Sequence, residues 1–435
     1  YIDCESAVTV GKVNRATIPM KKIIPSLPEG DNFTVGGCLA GLALGSNSYI
    51  NGFFNDNVID FDIVLGNGDI IKNISITNNS DLYYGIGGTY GTMGIITRVK
   101  TKLIPCEKYV KMDYLNYNSF ETFYGNFKQQ INDKKNDFIE AFANKKDDYT
   151  IVVANFVDNV NTDDISVIKD KDILKQRHMS IYAKIANKKN KTYLRTLDYL
   201  ERYSYAAFWG HYLYTPYKIR DYIYSGLMYS LMPKKILDSS PGSGKYNISK
   251  YFHAANHIVG DYIRDEYVLA TDLGVPISKL KEAMHLADEM TNTYPRWICP
   301  IKINHHPDKI FCTKKPELCQ DDIIFDLGIY GIKNTKIPSK KINQAFEKFS
   351  FDNGMFKGFF STCYFTYEDF WNQFDKEQYD KIRKKYNAEG NFMDIFDKMN
   401  YRNKIKKKNI RSELFQFFGK KYLEQINNNK EKLIR

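Results

Sequence analysis

Residues 34–46 read TVGGCLAGLALGS. Four glycines among small residues fit neither helical nor strand periodicity. Glycine inside regular structure loses more backbone entropy than any other residue, so a cluster needs a reason. Two reasons stand open at this point. One is a tight, packed turn. The other is a ligand pressed against bare backbone, such as a phosphate cradled by N–H groups that side chains would cover.

The chain has 435 residues, 43% of them hydrophobic, enough for two domains with substantial cores. It begins at Tyr1, and the expectation is that a longer protein precedes it, with any targeting signal upstream. The formal charge is +11, from 62 Lys and Arg against 51 Asp and Glu. These charges are interspersed, which reads first as a Lys-rich solvated surface. Only NKIKKKNIR, residues 403–411, is a concentrated basic run, suited to lipid headgroups, to RNA or to a solvated helix face. No zinc-finger spacing or RNA-binding signature accompanies it, so nucleic acid is not an expected partner. Cys4, Cys38, Cys106, Cys299, Cys312, Cys319 and Cys363 stand singly with no C-x-x-C pair, which points to reduced thiols in a cytosol-facing protein. No run of about 18 apolar residues exists to span a bilayer.

The first hundred residues carry the clearest β signals. FDIVLGNGDII alternates at Phe61, Ile63 and Leu65, and its Gly66-Asn67-Gly68 corner suits a tight hairpin. From Gly87 to Pro105 runs GGTYGTMGIITRVKTKLIP. Its second half sets Ile95, Thr97, Val99, Thr101 and Leu103 against a wetter face of Ile96, Arg98, Lys100 and Lys102. After about residue 107 aromatic residues become dense and helices mix with strands. TIVVANFV, WICPIKI, IIFDLGIYGI and MFKGFFSTCYF read as strands. Ser278 is placed to cap a helix with Leu280, Met284 and Ala287 on one face, and YEDFWNQF opens another. Residues 158–175 and 305–321 read as surface insertions.

Two glycine-rich turns bordering β structure in one small domain suit a long anionic ligand with a flat ring, approached closely at two places. The dinucleotide fold with G-x-G-x-x-G between strand and helix does not match, because no helix pattern follows Gly45. The stretches LPEGDNFTVGGCLAGLALGSNSYINGFFNDNVIDFDIVLGNGDII and NNSDLYYGIGGTYGTMGIITRVKTKLIPCEKYVK resemble the FAD-binding domain of the vanillyl-alcohol-oxidase (PCMH) type. Within that superfamily the chain resembles the Δ24-sterol reductases, also called the 24-dehydrocholesterol reductase or Diminuto/Dwarf family. YAAFWGHYLY, DLGVPISKL, YPRWICPI, FDLGIYGI and CYFTYEDFWNQFD follow in that family's order, so the likeness covers most of the chain. It implies an α+β protein: the later part of a PCMH-type FAD-binding domain over residues 1–107, then a mixed α+β substrate domain with an antiparallel sheet over 108–435.

The resemblance implies that Thr34, Val35, Gly36, Gly37, Gly41, Gly45 and Ser46 wrap the FAD, and that Gly91, Gly94, Ile95 and Thr97 lie near its flavin. It also implies NADPH as electron donor, a sterol substrate reduced between carbons 24 and 25, and association with the endoplasmic reticulum membrane through an anchor upstream. Protonation of such an alkene needs an acid on one face of a dry pocket. Asp272, Tyr364 and Glu368 lie in family-like segments and are the candidate donors. Against them stand a loop hydrogen bond, a core-packed tyrosine and an ordinary first-turn acid. The chain departs from the family at Ser204-Tyr205, where relatives carry an arginine, at Gly210, where they carry an acid, and at Thr271, where they carry a glutamine. Two alternatives follow: an FAD-dependent oxidase of alcohols or sugar acids, or a degenerate flavoprotein fold that binds lipid or acts as a scaffold. No metal site is expected. SSPGSGKY lacks the first Gly and the final Ser/Thr of a phosphate loop, His253 and His257 lack the zincin glutamate, and His305-His306 has no third ligand.

Overall fold

A computed structural model describes residues 1–26, 28, 30–161, 190–205, 268–319, 322–333, 335–359 and 363–404. The segments around Phe208-Trp209-Gly210, SSPGSGKY, His253 and His257, most of the 158–175 insertion and the basic run beyond Lys404 lie outside the described residues.

The first hundred residues build a four-stranded antiparallel sheet from β1 (Ile2–Glu5), β3 (Val58–Val64), β4 (Ile70–Ile74) and β5 (Ile95–Thr101), in the order β1-β5-β3-β4. The β3–β4 connection is the expected hairpin, with Gly68 at φ +89° accepting a turn that other residues resist. β2 (Lys22–Ile23) pairs separately with β6 (Ile104–Pro105). The alternation expected for β5 breaks at Thr97. Asp62 pairs with Arg98 and Ile63 with Ile96, so Thr97 is an extra residue without its own partner. This bulge reverses the phase: Ile96 turns inward and Ile95 stands 58% exposed.

The glycine stretch is not the irregular turn its sequence indicates. Val35–Ala40 forms a short helix whose N-cap, Thr34, accepts a bond from the Gly37 N–H at 3.2 Å. Six residues are too few to display a period, and the two glycines hide the buried side of Val35, Cys38 and Leu39.

The second sheet has seven described antiparallel strands. In chain order they are β7 (Tyr109–Tyr117), β8 (Phe138–Lys145), β9 (Asp148–Val157), β10 (Lys191–Arg195), β11 (Val268–Pro276), β12 (Arg296–Lys302) and β13 (Ile323–Ile332). They lie side by side as β10-β7-β9-β8-β12-β13-β11. One face carries Ile139, Ile151, Leu273, Ile298, Phe325 and Leu327, covered by the helices Phe120–Asp133, Leu280–Thr291 and Ser339–Asp352. The other face carries Phe138, Phe142, Trp297, Cys299 and Ile324 and shares one core with the first sheet's side of the molecule. The strand period of two thus gives every buried strand residue one of two destinations.

Three expectations change. Ser278 does not cap the Leu280–Thr291 helix; it lies in a preceding 3₁₀ turn, and Lys279 takes the cap position without a side-chain bond. The segment starting at Met355 forms no described strand; it meets the β11 edge through a single bridge between Lys357 and Leu273 and a bond from the Gly274 N–H to the Phe356 carbonyl at 3.0 Å. Residues 305–321 are not merely a surface insertion, since Ile310 and Phe311 are buried and Phe311 stacks edge-on to Phe359.

Candidate active site

The seam between the two sheets explains the second half of the glycine stretch. The N–H of Ile139 in β8 donates to the carbonyl of Ser46 at 2.8 Å, and the Cys299 thiol in β12 meets the carbonyl of Gly45 at 3.4 Å. What approaches this backbone is the large sheet itself. Beside it Glu140, on the seam face of β8, accepts from Arg202 at 3.0 Å, Tyr203 at 2.5 Å and the Trp297 indole at 2.9 Å. Arg202 also donates to the Ser46 hydroxyl at 3.3 Å, so one buried ion pair fastens the glycine stretch to the sheet.

Further along the seam a small void of about 30 Å³ is bounded by Gly41, Gly88 and Tyr90 on one side and Gly274, Asp326 and Lys357 on the other. That volume holds little more than a water molecule. Phe53, Phe311, Phe356, Phe359 and Phe374 close it. A Cβ at Gly88 would lie 2.7 Å from the Cβ of Phe311, so the absent side chain lets this wall close.

Two carboxyls lie in this wall. In the β11–β13 ladder Asp272 pairs with Gly328 and Gly274 with Asp326, which puts all four on the seam face. Asp272 is 4% and Asp326 6% exposed. Tyr330 folds its ring over Gly328 and its hydroxyl donates to Asp272 Oδ1. Burial pushes Asp272 up to about 7 although the charge of Lys357 opposes it. Burial and the Asp272 charge together push Asp326 well above the carboxylate range. Lys357 is itself buried, donating to Glu347 at 3.0 Å and Asn343 at 3.3 Å. Glu347 also accepts the Tyr364 backbone N–H at 2.8 Å.

The three sequence-derived acid candidates therefore fall in different places. Asp272 is in the seam wall. Tyr364 reaches the same cluster through its backbone and is half-buried. Glu368 is exposed in the first turn of the Tyr367–Gln373 helix, where a dry proton donor cannot stand. Thr271, where the family pattern has glutamine, pairs with Ile329 on the helix-covered face and points away from the seam. Sequence reasoning missed Asp326, Lys357, Glu140 and Arg202. A signal was present for the two acids, each a lone charge within an otherwise apolar strand pattern, IIFDLGI and FIEAFA.

The residues expected around FAD divide in the same way. Val35 and Gly36 donate their N–H groups to Val8 and Ser6 at 2.9 Å each, Gly37 donates to Thr34 Oγ1, and Cys38 to the Thr34 carbonyl at 2.9 Å. This helix start thus has no N–H left for a phosphate. A Cβ at Gly36 would strike Ser6, one at Gly41 the Gly37 carbonyl, and one at Gly94 the Val64 carbonyl, so chain packing accounts for those three glycines. Gly91 differs. Its φ is +78° and an added Cβ would meet only Lys398 Nζ, 3.7 Å away, leaving bare backbone. Gly37, Ile95 and Thr97 are exposed along one edge, joined through Ser6, which bonds both Gly36 and Thr97. Bare glycine backbone and an uncovered Ile95 fit the flat ring of an FAD, while the Val35–Ala40 helix does not fit its phosphates.

The chain's first 73 residues match the family model described as FAD binding domain. The Delta(24)-sterol reductase of Homo sapiens is 25% identical over 399 residues, spanning 91% of this chain and 73% of that protein. The Delta(24)-sterol reductase of Arabidopsis thaliana is 26% identical over 431 residues, 91% of this chain and 72% of that protein. A cytokinin dehydrogenase of Oryza sativa subsp. japonica is 36% identical over 113 residues, 26% of this chain and 21% of its own length. The chain is an α+β protein that opens with an FAD-binding domain and resembles the Δ24-sterol reductases along nine-tenths of its length.

Proposed function

We propose that this FAD-dependent oxidoreductase reduces the C24–C25 side-chain double bond of a sterol, with NADPH as the electron donor. The supporting observation is the seam: buried Asp326 bounds a void closed by phenylalanine rings opposite the second glycine turn, and buried Asp272 lies diagonally from it on the same sheet face. An unactivated alkene accepts a proton only from an acid kept protonated near neutrality, and burial of Asp272 and Asp326 does this. The positive charge that develops on the tertiary carbon is stabilised by ring faces such as those of Phe311 and Phe359. Bound FAD, once reduced, supplies the hydride, and Gly37, Gly91, Ile95 and Thr97 are the residues here that would hold its ring. Tyr90, whose N–H donates to the Ala40 carbonyl at 3.1 Å, ties the second glycine turn to the first and fixes the seam wall. Admission of a sterol parts the phenylalanine contacts that now leave room for about one water.

The test is anaerobic turnover by the purified full-length protein. A flavin spectrum bleached by NADPH, with a Δ24-sterol converted to a product two mass units heavier, is the expected result. Bleached flavin with hydrogen peroxide in air and no reduced sterol would replace the reading with an oxidase. Membrane association at the endoplasmic reticulum belongs to the same proposal and is checked by fractionation. Among the described residues no helix is long and apolar enough to cross a membrane.

A further inference from the structure

We propose that Asp326 and Asp272 form a proton-holding pair in the seam, with Asp326 the acid that meets the double bond and Asp272 the partner that keeps it protonated. This rests on the sterol-reductase reading above. The geometry carries it. Asp326 bounds the void together with Gly41, Gly88 and Tyr90, and Asp272 does not. The two are diagonal neighbours in the β11–β13 register, roughly 7–8 Å apart by general sheet geometry. The other two corners of that rectangle are Gly274 and Gly328, whose missing side chains leave room for the Phe356 backbone and the Tyr330 ring. Both glycines are spoken for: a Cβ at Gly274 would lie 2.6 Å from the Phe356 carbonyl, and one at Gly328 would lie 2.4 Å from the Tyr330 ring. The rectangle is thus shaped to hold Tyr330 over Gly328 and against Asp272, leaving Asp326 to face the void.

The charges around the pair agree. Lys357 enters from the segment after the Ser339–Asp352 helix, and that helix sends Glu347 and Asn343 to meet it. Cys363 is beside Glu347, and its thiol is pushed up to about 12 by burial. Tyr90 comes from the second glycine turn, with its hydroxyl raised by burial and by Asp272. Cys299 is opposite Asp326 on β12. Among these described neighbours one cation, Lys357, faces three carboxyls, and it is engaged by Glu347. Two like-charged carboxyls sharing a dry site do not both ionise, so the pair retains a proton.

The step balances. The alkene π pair forms the new C24–H bond with the Asp326 proton, and the Asp326 O–H bond breaks. The cation at C25 takes the hydride that the reduced cofactor supplies. Asp326 recovers its proton from water when product leaves.

The test uses the flavin-loaded full-length protein with Asp326→Asn and Asp272→Asn. Infrared difference spectroscopy across a pH titration reads protonated carboxyls directly, without turnover. The expected result is a carboxyl signal in the native protein that persists past neutrality. In Asp326→Asn the part that persists past neutrality is lost and only the Asp272 carboxyl, held to about 7 by burial, remains; in Asp272→Asn the signal moves to lower pH. Sterol reduction falls by about 10²–10⁴-fold in Asp326→Asn, the range for loss of a general acid. In Asp272→Asn the alkaline limb of the pH profile moves down. A signal unchanged in Asp326→Asn, or unmoved in Asp272→Asn, overturns the proposal. Thermal melts and flavin spectra identify a variant that fails to fold, and the other variant then carries the test alone. If NADPH bleaches the flavin and both infrared results hold while no sterol is reduced, the proton pair stands and the substrate reading falls.

Discussion

Glu140→Ala tests a buried charge in the seam that accepts three hydrogen bonds. The Glu140 and Arg202 side chains are each 1% exposed and 3.0 Å apart. Removing the carboxylate strands the guanidinium in a dry site, which costs about 3–5 kcal/mol. The Trp297 indole N–H and the Tyr203 hydroxyl lose the same acceptor, each adding about 1–3 kcal/mol if left unsatisfied. Stacking of Arg202 on Tyr199 and Tyr203, with ring centroids at 4.1 and 4.5 Å, is present with and without Glu140 and leaves the difference unchanged. The net expectation is a loss of at least about 5 kcal/mol, a large share of a domain's stability. Urea denaturation followed by tryptophan fluorescence measures it. Glu140→Gln, which keeps an acceptor and drops the charge, should lose less. Glu140→Ala combined with Arg202→Met should recover much of the difference, because both charges then leave together. A loss below about 1 kcal/mol would refute the reasoning, since that is the worth of one ordinary hydrogen bond.

Asp272→Asn should change the pH dependence of stability. The native carboxyl holds its proton up to about 7 while the unfolded one releases it near 3.8, so native stability falls as pH rises between those values. The variant loses that slope, and its stability relative to the native protein should rise by about 2–4 kcal/mol from pH 4 to pH 8 in urea titrations. A difference independent of pH would remove Asp272 as a buried acid. Gly274→Ala should destabilise by about 1–3 kcal/mol, because its Cβ would press on the Phe356 backbone and displace the bridge that carries Lys357. Alkylation with iodoacetamide, read by peptide mass spectrometry, should modify half-buried Cys4 before Cys38 and Cys363, whose thiols burial raises to about 12.

The sequence shows most plainly what periodicity or turn chemistry encodes. The β3–β4 hairpin follows from alternation and from Gly68, and β9, β12 and β13 follow from short apolar runs, because both faces of those strands are buried. The bulge at Thr97 is invisible there, since an extra residue is defined only by the opposite strand. The helix after Thr34 is hidden for a different reason: its bonds run to Val8 and Ser6, which no local pattern reports. The candidate site is legible in the same unequal way. Resemblance leads to Asp272 by its segment, but Asp326 becomes a candidate only when the β11–β13 register sets it diagonally from Asp272 and on the wall of the void. Glu368 looks equivalent in sequence and lies on the surface. The glycines repeat the lesson. Gly36, Gly41 and Gly94 serve chain packing, whereas Gly91 leaves backbone bare, and nothing in their spacing distinguishes the two uses. A glycine records that something comes close; the partner that comes close is a property of the assembled seam.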